Sequence, residues 1–208
     1  MARMTAAPCG RGRGRALPLL IAVTDPLRLA DPVAALARLP RGTALIWRAY
    51  GEHTDGARLR AVAREARRRG VLLLVAGDTR LSARPGPGGL HLPERMIKSP
   101  HTNEVHARGR RPKPGFIVTA AAHGETAIRA AARAGADAVL ISPVFATASH
   151  PGAPALGAVR FAQLARLAAA LGLAPYALGG VTDTGALRRL KGTGIAGAAG
   201  IGFIGYEP

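Results

Sequence analysis

The sequence predicts a single α/β domain built as a small (β/α)8 barrel, on three observations. Short apolar runs alternate with longer Ala-, Arg- and Leu-rich segments of helical period, the pattern of repeated βα units around a parallel sheet. The apolar runs number eight. The turn after the first run, Thr24-Asp25-Pro26, lacks the glycine fingerprint that an open dinucleotide-binding sheet carries there.

The elements follow in order. Strands are expected at Leu19 to Val23, Ala44 to Trp47, Val71 to Val75, Gly89 to Leu92, Phe116 to Thr119, Ala138 to Ile141, Pro175 to Leu178 and Ile195 to Ile201, with the Gly89 run the weakest pattern. Helices fit at Pro32 to Leu39, Asp55 to Arg69, Gly124 to Ala134, Ala158 to Leu171 and Asp183 to Leu190, several opened by Asp or closed by Gly. Arg108 to Pro114 combines Pro with like charge and reads as an exposed connection. The chain ends soon after the eighth strand, so the last helix is expected to be absent and the barrel clipped, or closed by a neighbouring subunit in a homo-oligomer.

Composition narrows the function classes. The 208 residues, 48% of them hydrophobic, suit one core: a barrel over 17–208 behind a disordered basic tail over 1–16. Within that tail Arg3, Arg11, Arg13 and Arg15 stand without an acid, and phosphate or nucleic-acid contact is the alternative to simple disorder. The net charge of +17 favours anionic partners without naming one. Aromatic residues at 4% are a poor basis for stacking bases, so nucleic acid is disfavoured. One cysteine, Cys9, excludes an internal disulfide and a thiolate metal cluster. No apolar run has the length of a membrane span and no signal-peptide core follows the basic start, so a soluble, cytoplasmic protein is expected.

Barrel active sites are built where strands end, so candidates are the residues just beyond each run. Asp25, Arg48, Asp78, His91, His123, Ser142 with Thr147 and Ser149, Gly179 with Gly180, and the stretch Gly197 to Gly205 pass that filter. His91 lies within a strand and reads as a packed side chain rather than a ligand. The two glycine-rich turns follow strands seven and eight, where barrels bind phosphate through exposed backbone N–H groups; close packing of small residues is the alternative.

Four segments in order resemble the thiamine phosphate synthase/TenI family, from about Leu19 to Ile204. Ile21-Ala22-Val23-Thr24-Asp25 is similar to its opening strand, and Gly89-Leu90-His91-Leu92 to its Gly-Val-His-Leu. Ala134-Gly135-Ala136-Asp137, followed by Ser142-Pro143-Val144-Phe145-Ala146-Thr147 and Ser149, resembles Ala-Gly-Ala-Asp and then Gly-Pro-Val-Phe-x-Thr-x-Thr-Lys. Ala177-Leu178-Gly179-Gly180-Val181 resembles Ala-Ile-Gly-Gly-Ile.

The resemblance implies a site for thiazole phosphate, its phosphate held by Thr147, Ser149, Gly179, Gly180 and the backbone from Gly200 to Gly202, with Arg48, Ser142 and His150 beside them. His123, in a segment similar to Ser-x-His-x-x-x-Glu, is by that resemblance the acid/base of a thiazole tautomerase, a reaction needing no cofactor. A synthase would also take pyrimidine diphosphate with Mg²⁺, and there the sequence departs from the pattern. Gln-x-Arg-x-Lys appears as Ile46-Trp47-Arg48-Ala49-Tyr50, Asn-Asp as Gly77-Asp78, the second metal-binding Asp aligns near Met96, and the loop Lys is His150. Asp78 is the remaining metal candidate if Mg²⁺ is used, with Glu94 a substitute for the missing ligand; an Arg48–Asp78 ion pair is the structural alternative. The expectation is a tautomerase or degenerate synthase, with an active synthase and a non-catalytic phosphate-ligand binder as alternatives.

Overall fold

The computed structural model describes residues 16–25, 31–48, 56–98, 112–147 and 154–201. Eight parallel strands close into a barrel in sequence order: β1 (Leu20–Val23), β2 (Ala44–Trp47), β3 (Leu72–Ala76), β4 (Gly89–Leu92), β5 (Ile117–Ala122), β6 (Ala138–Ile141), β7 (Ala174–Leu178) and β8 (Gly197–Gly200), with β8 returning to β1. Among the described residues seven helices accompany them: α1 (Pro32–Arg38), α2 (Gly56–Arg69), α3 (Thr79–Ala83), α4 (Glu94–Ile97), α5 (Glu125–Arg133), α6 (Gly157–Ala170) and α7 (Thr184–Arg189).

All eight expected strands form, and so do the five expected helices, with ends shifted by a residue or a few. Two helices are additional. Both α3 and α4 are single turns, too short to show a helical period, and each is started by local chemistry. Asp78 caps α3 by accepting the Leu81 N–H at 2.7 Å. Pro93 leads into α4, where the Met96 N–H reaches the Pro93 carbonyl at 2.9 Å. Among the described residues no helix follows β8, and 202–208 lie outside them, as do 1–15 of the basic tail and most of the Arg108 to Pro114 connection.

Alternation along the strands separates two apolar layers. Ile21, Ala44, Ile46, Leu72, Leu74, Ile117, Leu140, Tyr176 and Ala199 fill the barrel interior. The intervening residues, such as Leu45, Val75, Leu90, Val118, Val139 and Ala177, pack outward against the helices. Phe161 of α6 is fully buried in that outer layer, a position where truncation to alanine typically costs about 3 to 5 kcal/mol.

The end opposite the mouth is closed by polar ties. Asp137, which precedes β6, accepts the Val118 N–H at 2.8 Å through its side chain while its own N–H reaches the Val118 carbonyl at 2.7 Å. Gly135, at φ +71°, makes the reversal from α5 that brings Asp137 there. Tyr176 reaches down the interior and donates its hydroxyl to the Pro18 carbonyl at 2.5 Å.

Candidate functional site at the barrel mouth

Because every strand pair is parallel, all strand C-termini open on one face. Thr24, Arg48, Asp78, His123, Ser142 and Gly179 each follow the end of their strand and therefore share that face. The lip is braced between neighbouring strands. Thr24 Oγ1 accepts the Arg48 N–H at 2.8 Å, the Gly77 N–H donates to the His91 carbonyl at 2.9 Å, and the Ser142 N–H to the Ala122 carbonyl at 3.1 Å.

His123 stands just beyond β5, and its partner comes from α4. Glu94 Oε2 accepts the His123 backbone N–H at 2.9 Å and also bonds His123 Nδ1, while Oε1 pairs with Lys98 Nζ. The Glu94 side chain is mostly covered, at 17% exposure, whereas the His123 side chain is 58% exposed. Burial pushes the Glu94 pKa up, but hydrogen bonds from Lys98 and His123 outweigh it and hold the carboxyl below its ordinary value. By sequence Glu94 stands only as a substitute metal ligand. Its place directly beyond a strand end was the available signal, obscured by how short α4 is.

Below the lip, His91 and Thr119 alternate with outward-facing Leu90, Leu92, Val118 and Ala120, which puts both inside the barrel. Nδ1 of His91 lies 2.9 Å from Thr119 Oγ1. Desolvation first, and the Arg48 charge second, lower the His91 pKa from 6.5 to about 4, so the ring is neutral at physiological pH. That agrees with a packed residue.

The β6 and β7 turns interlock. The Val144 N–H donates to the Leu178 carbonyl at 3.0 Å and the Phe145 N–H to the Gly179 carbonyl at 3.1 Å, while Leu156 and Gly157 at the start of α6 donate back to Pro143 and Val144. Gly179 and Gly180 adopt φ of +90° and +67°. A Cβ on Gly180 would lie 2.6 Å from both the Ala146 carbonyl oxygen and Phe145 Cβ, so close packing by itself requires glycine there. The Arg189 guanidinium lies over the Phe145 ring, 3.9 Å from its centroid. Thr147 is half-buried beside this turn and Gly200 ends β8, whereas Ser149, His150 and Gly202 lie outside the described residues.

The carboxylates nearest the expected metal position are already engaged by the protein. Asp78 has one oxygen on the α3 cap, Glu94 is engaged by His123 and Lys98, and the neighbouring Met96 offers no hard oxygen. Among the described residues no group of three or more His, Cys, Asp or Glu could hold a metal ion, and no helix is long and apolar enough to cross a membrane.

Comparison with known proteins gives the lineage of this barrel. A family model described as thiamine monophosphate synthase matches residues 22–204. A curated relative from Aquifex aeolicus (strain VF5), named "Putative thiamine-phosphate synthase 2", is 31% identical over 112 residues, covering 54% of this chain and 55% of its own. The chain thus matches about half the length of that relative. Among solved structures, thiamine phosphate pyrophosphorylase from Pyrococcus furiosus is similar with a TM-score of 0.66 at 18% identity, over 90% of this chain and 88% of that one. An HpcH/HpaI aldolase from Desulfitobacterium hafniense DCB-2 reaches 0.60 at 14% identity, over 88% and 86%. At such identities these structures show the shared barrel fold alone. The family match, running across most of the chain, shows that this protein belongs to the thiamine monophosphate synthase family.

Proposed function

We propose that this barrel binds a thiazole phosphate and moves a proton on its ring, as a thiazole tautomerase of thiamine biosynthesis working in the cytoplasm. The observation that carries the reading is His123 at the mouth, with one ring nitrogen held by Glu94 and its side chain more than half exposed. An imidazole there takes a proton from one ring position and returns it at another with no net change in electrons, which needs no cofactor. Phosphate binding is assigned to Ser142, Thr147, Ser149, His150, the Gly179-Gly180 turn, Gly200 and Gly202, with Arg48 adding positive charge from the β2 end. Hydroxyls and backbone amides at strand ends suit that group.

A second reading, synthesis of thiamine phosphate from pyrimidine diphosphate and thiazole phosphate, is favoured by the description of the family and the names of its relatives. The carboxylates around Asp78 and Glu94 fit Mg²⁺ poorly, which is why this reading comes second. One assay with both precursors and Mg²⁺ separates the two. On the first reading His123→Ala lowers tautomerisation on the order of 10²- to 10⁴-fold and leaves thiazole phosphate binding nearly unchanged. Mg²⁺-dependent thiamine phosphate formation that is indifferent to His123 restores the synthase, and tight thiazole phosphate retention with no turnover of either kind marks a binding protein.

A further inference from the structure

We infer that Glu94 is the positioning residue of this site, holding the His123 ring with its proton on Nδ1 so that Nε2 is the basic nitrogen offered to a ligand. The inference rests on the reading of His123 as the acid/base, and adds to it which nitrogen acts and what selects it.

An ionised carboxylate can only accept hydrogen bonds, so a ring nitrogen bonded to it must carry the proton. Glu94 Oε2 receives the His123 backbone N–H at 2.9 Å together with Nδ1, and Oε1 receives Lys98 Nζ. Three donors on one carboxylate favour its charged form, in line with the lowered pKa of Glu94. The backbone bond fixes where His123 leaves β5, the Nδ1 bond fixes the ring on it, and a histidine so held has one tautomer.

The two residues are delivered by adjacent strands. Leu92 of β4 stands in register with Ala120 of β5, and each chain then turns at the lip: Glu94 opens α4, and His123 precedes α5. The other nearby carboxylate, Glu125, is engaged elsewhere by Arg160, whose Nη2 lies 3.2 Å from its Oε1. Glu94 is therefore the carboxylate that sets the ring. Lys98 acts one step further out by pinning the second oxygen.

The alternative is a brace that only ties α4 to β5. For that role the backbone bond is enough, and the ring tautomer would not depend on Glu94. Ring ¹⁵N chemical shifts of ¹⁵N-histidine-labelled full-length protein decide the matter, with the His123 signals assigned from the spectrum of His123→Gln. At a pH where the ring is neutral, the wild type should show one Nδ1–H tautomer at His123, and Glu94→Ala a mixture of the two. Glu94→Leu, which nearly keeps the volume but has no acceptor, should also lose the single tautomer and serves if the alanine variant does not fold. Tautomerisation should fall about tenfold to 10²-fold in either variant with little change in KM, the scale seen when a histidine loses its orienting partner. Glu94→Asp should recover part of the rate. A His123 tautomer unchanged by both substitutions overturns the inference even if the enzyme turns over thiazole phosphate. A tautomer that shifts in a protein with no tautomerase activity upholds the role of Glu94 and removes the functional reading.

Discussion

His91 and Thr119 meet across adjacent strands inside the barrel, Nδ1 of the histidine 2.9 Å from Oγ1 of the threonine. The pair is buried. With the His91 pKa lowered from 6.5 to about 4, the folded protein resists a proton that the unfolded chain accepts. Stability is therefore complete above pH 6.5 and falls as the pH drops from 6.5 toward 4, by roughly 3 kcal/mol at most. Urea unfolding across that window should show the decline, and His91→Gln should flatten it. Parallel curves for the two proteins would show that His91 is not the source.

Gly180 is expected to tolerate no branched side chain. The left-handed backbone and the 2.6 Å approach to Phe145 and Ala146 together make Gly180→Val cost about 2 to 5 kcal/mol. Calorimetry reads the stability, and titration with thiazole phosphate reads the site. A folded Gly180→Val protein of unchanged affinity would remove the β7 turn from the phosphate site.

Asp78 has a structural duty that can be separated from a metal role. Asp78→Ala should destabilise by about 1 kcal/mol through the lost α3 cap, whereas Asp78→Asn keeps a capping oxygen and should stay near the wild type. Chemical denaturation measures both. If the asparagine variant is stable and yet loses an Mg²⁺-dependent activity, the carboxylate serves a metal as well as the cap.

Tyr176→Phe should lower stability by about 1 to 3 kcal/mol, because the buried Pro18 carbonyl loses the hydroxyl that donates to it. For a chain of this length each kcal/mol corresponds to a fall in Tm of about 2 to 4 °C. The mouth lies at the other end of the barrel, so thiazole phosphate affinity should not change. An equal Tm for the two proteins would mean that the carbonyl finds another donor.

The eight strands and five longer helices were readable in the sequence because period and capping are local properties that each segment carries by itself. So was the shared face of Arg48, His123, Ser142 and Gly179, since alternating βα units send every strand end the same way. The meaning of several motif residues was not. Ala-Gly-Ala-Asp is conspicuous in the sequence, yet Asp137 ties β5 to β6 at the end away from the mouth, and only the closed sheet reveals which end it occupies. Gly180 satisfies a phosphate-turn pattern and a packing demand from Phe145, which lies 35 residues earlier in the chain. Asp78 is half of a metal motif in sequence and a helix cap in space. Glu94 and His123 are 29 residues apart, and nothing in either segment announces the other. Their contact exists because parallel pairing of β4 and β5 sets two chain reversals side by side, and hydrogen bonds between such distant residues are decided by register and barrel closure rather than by local sequence.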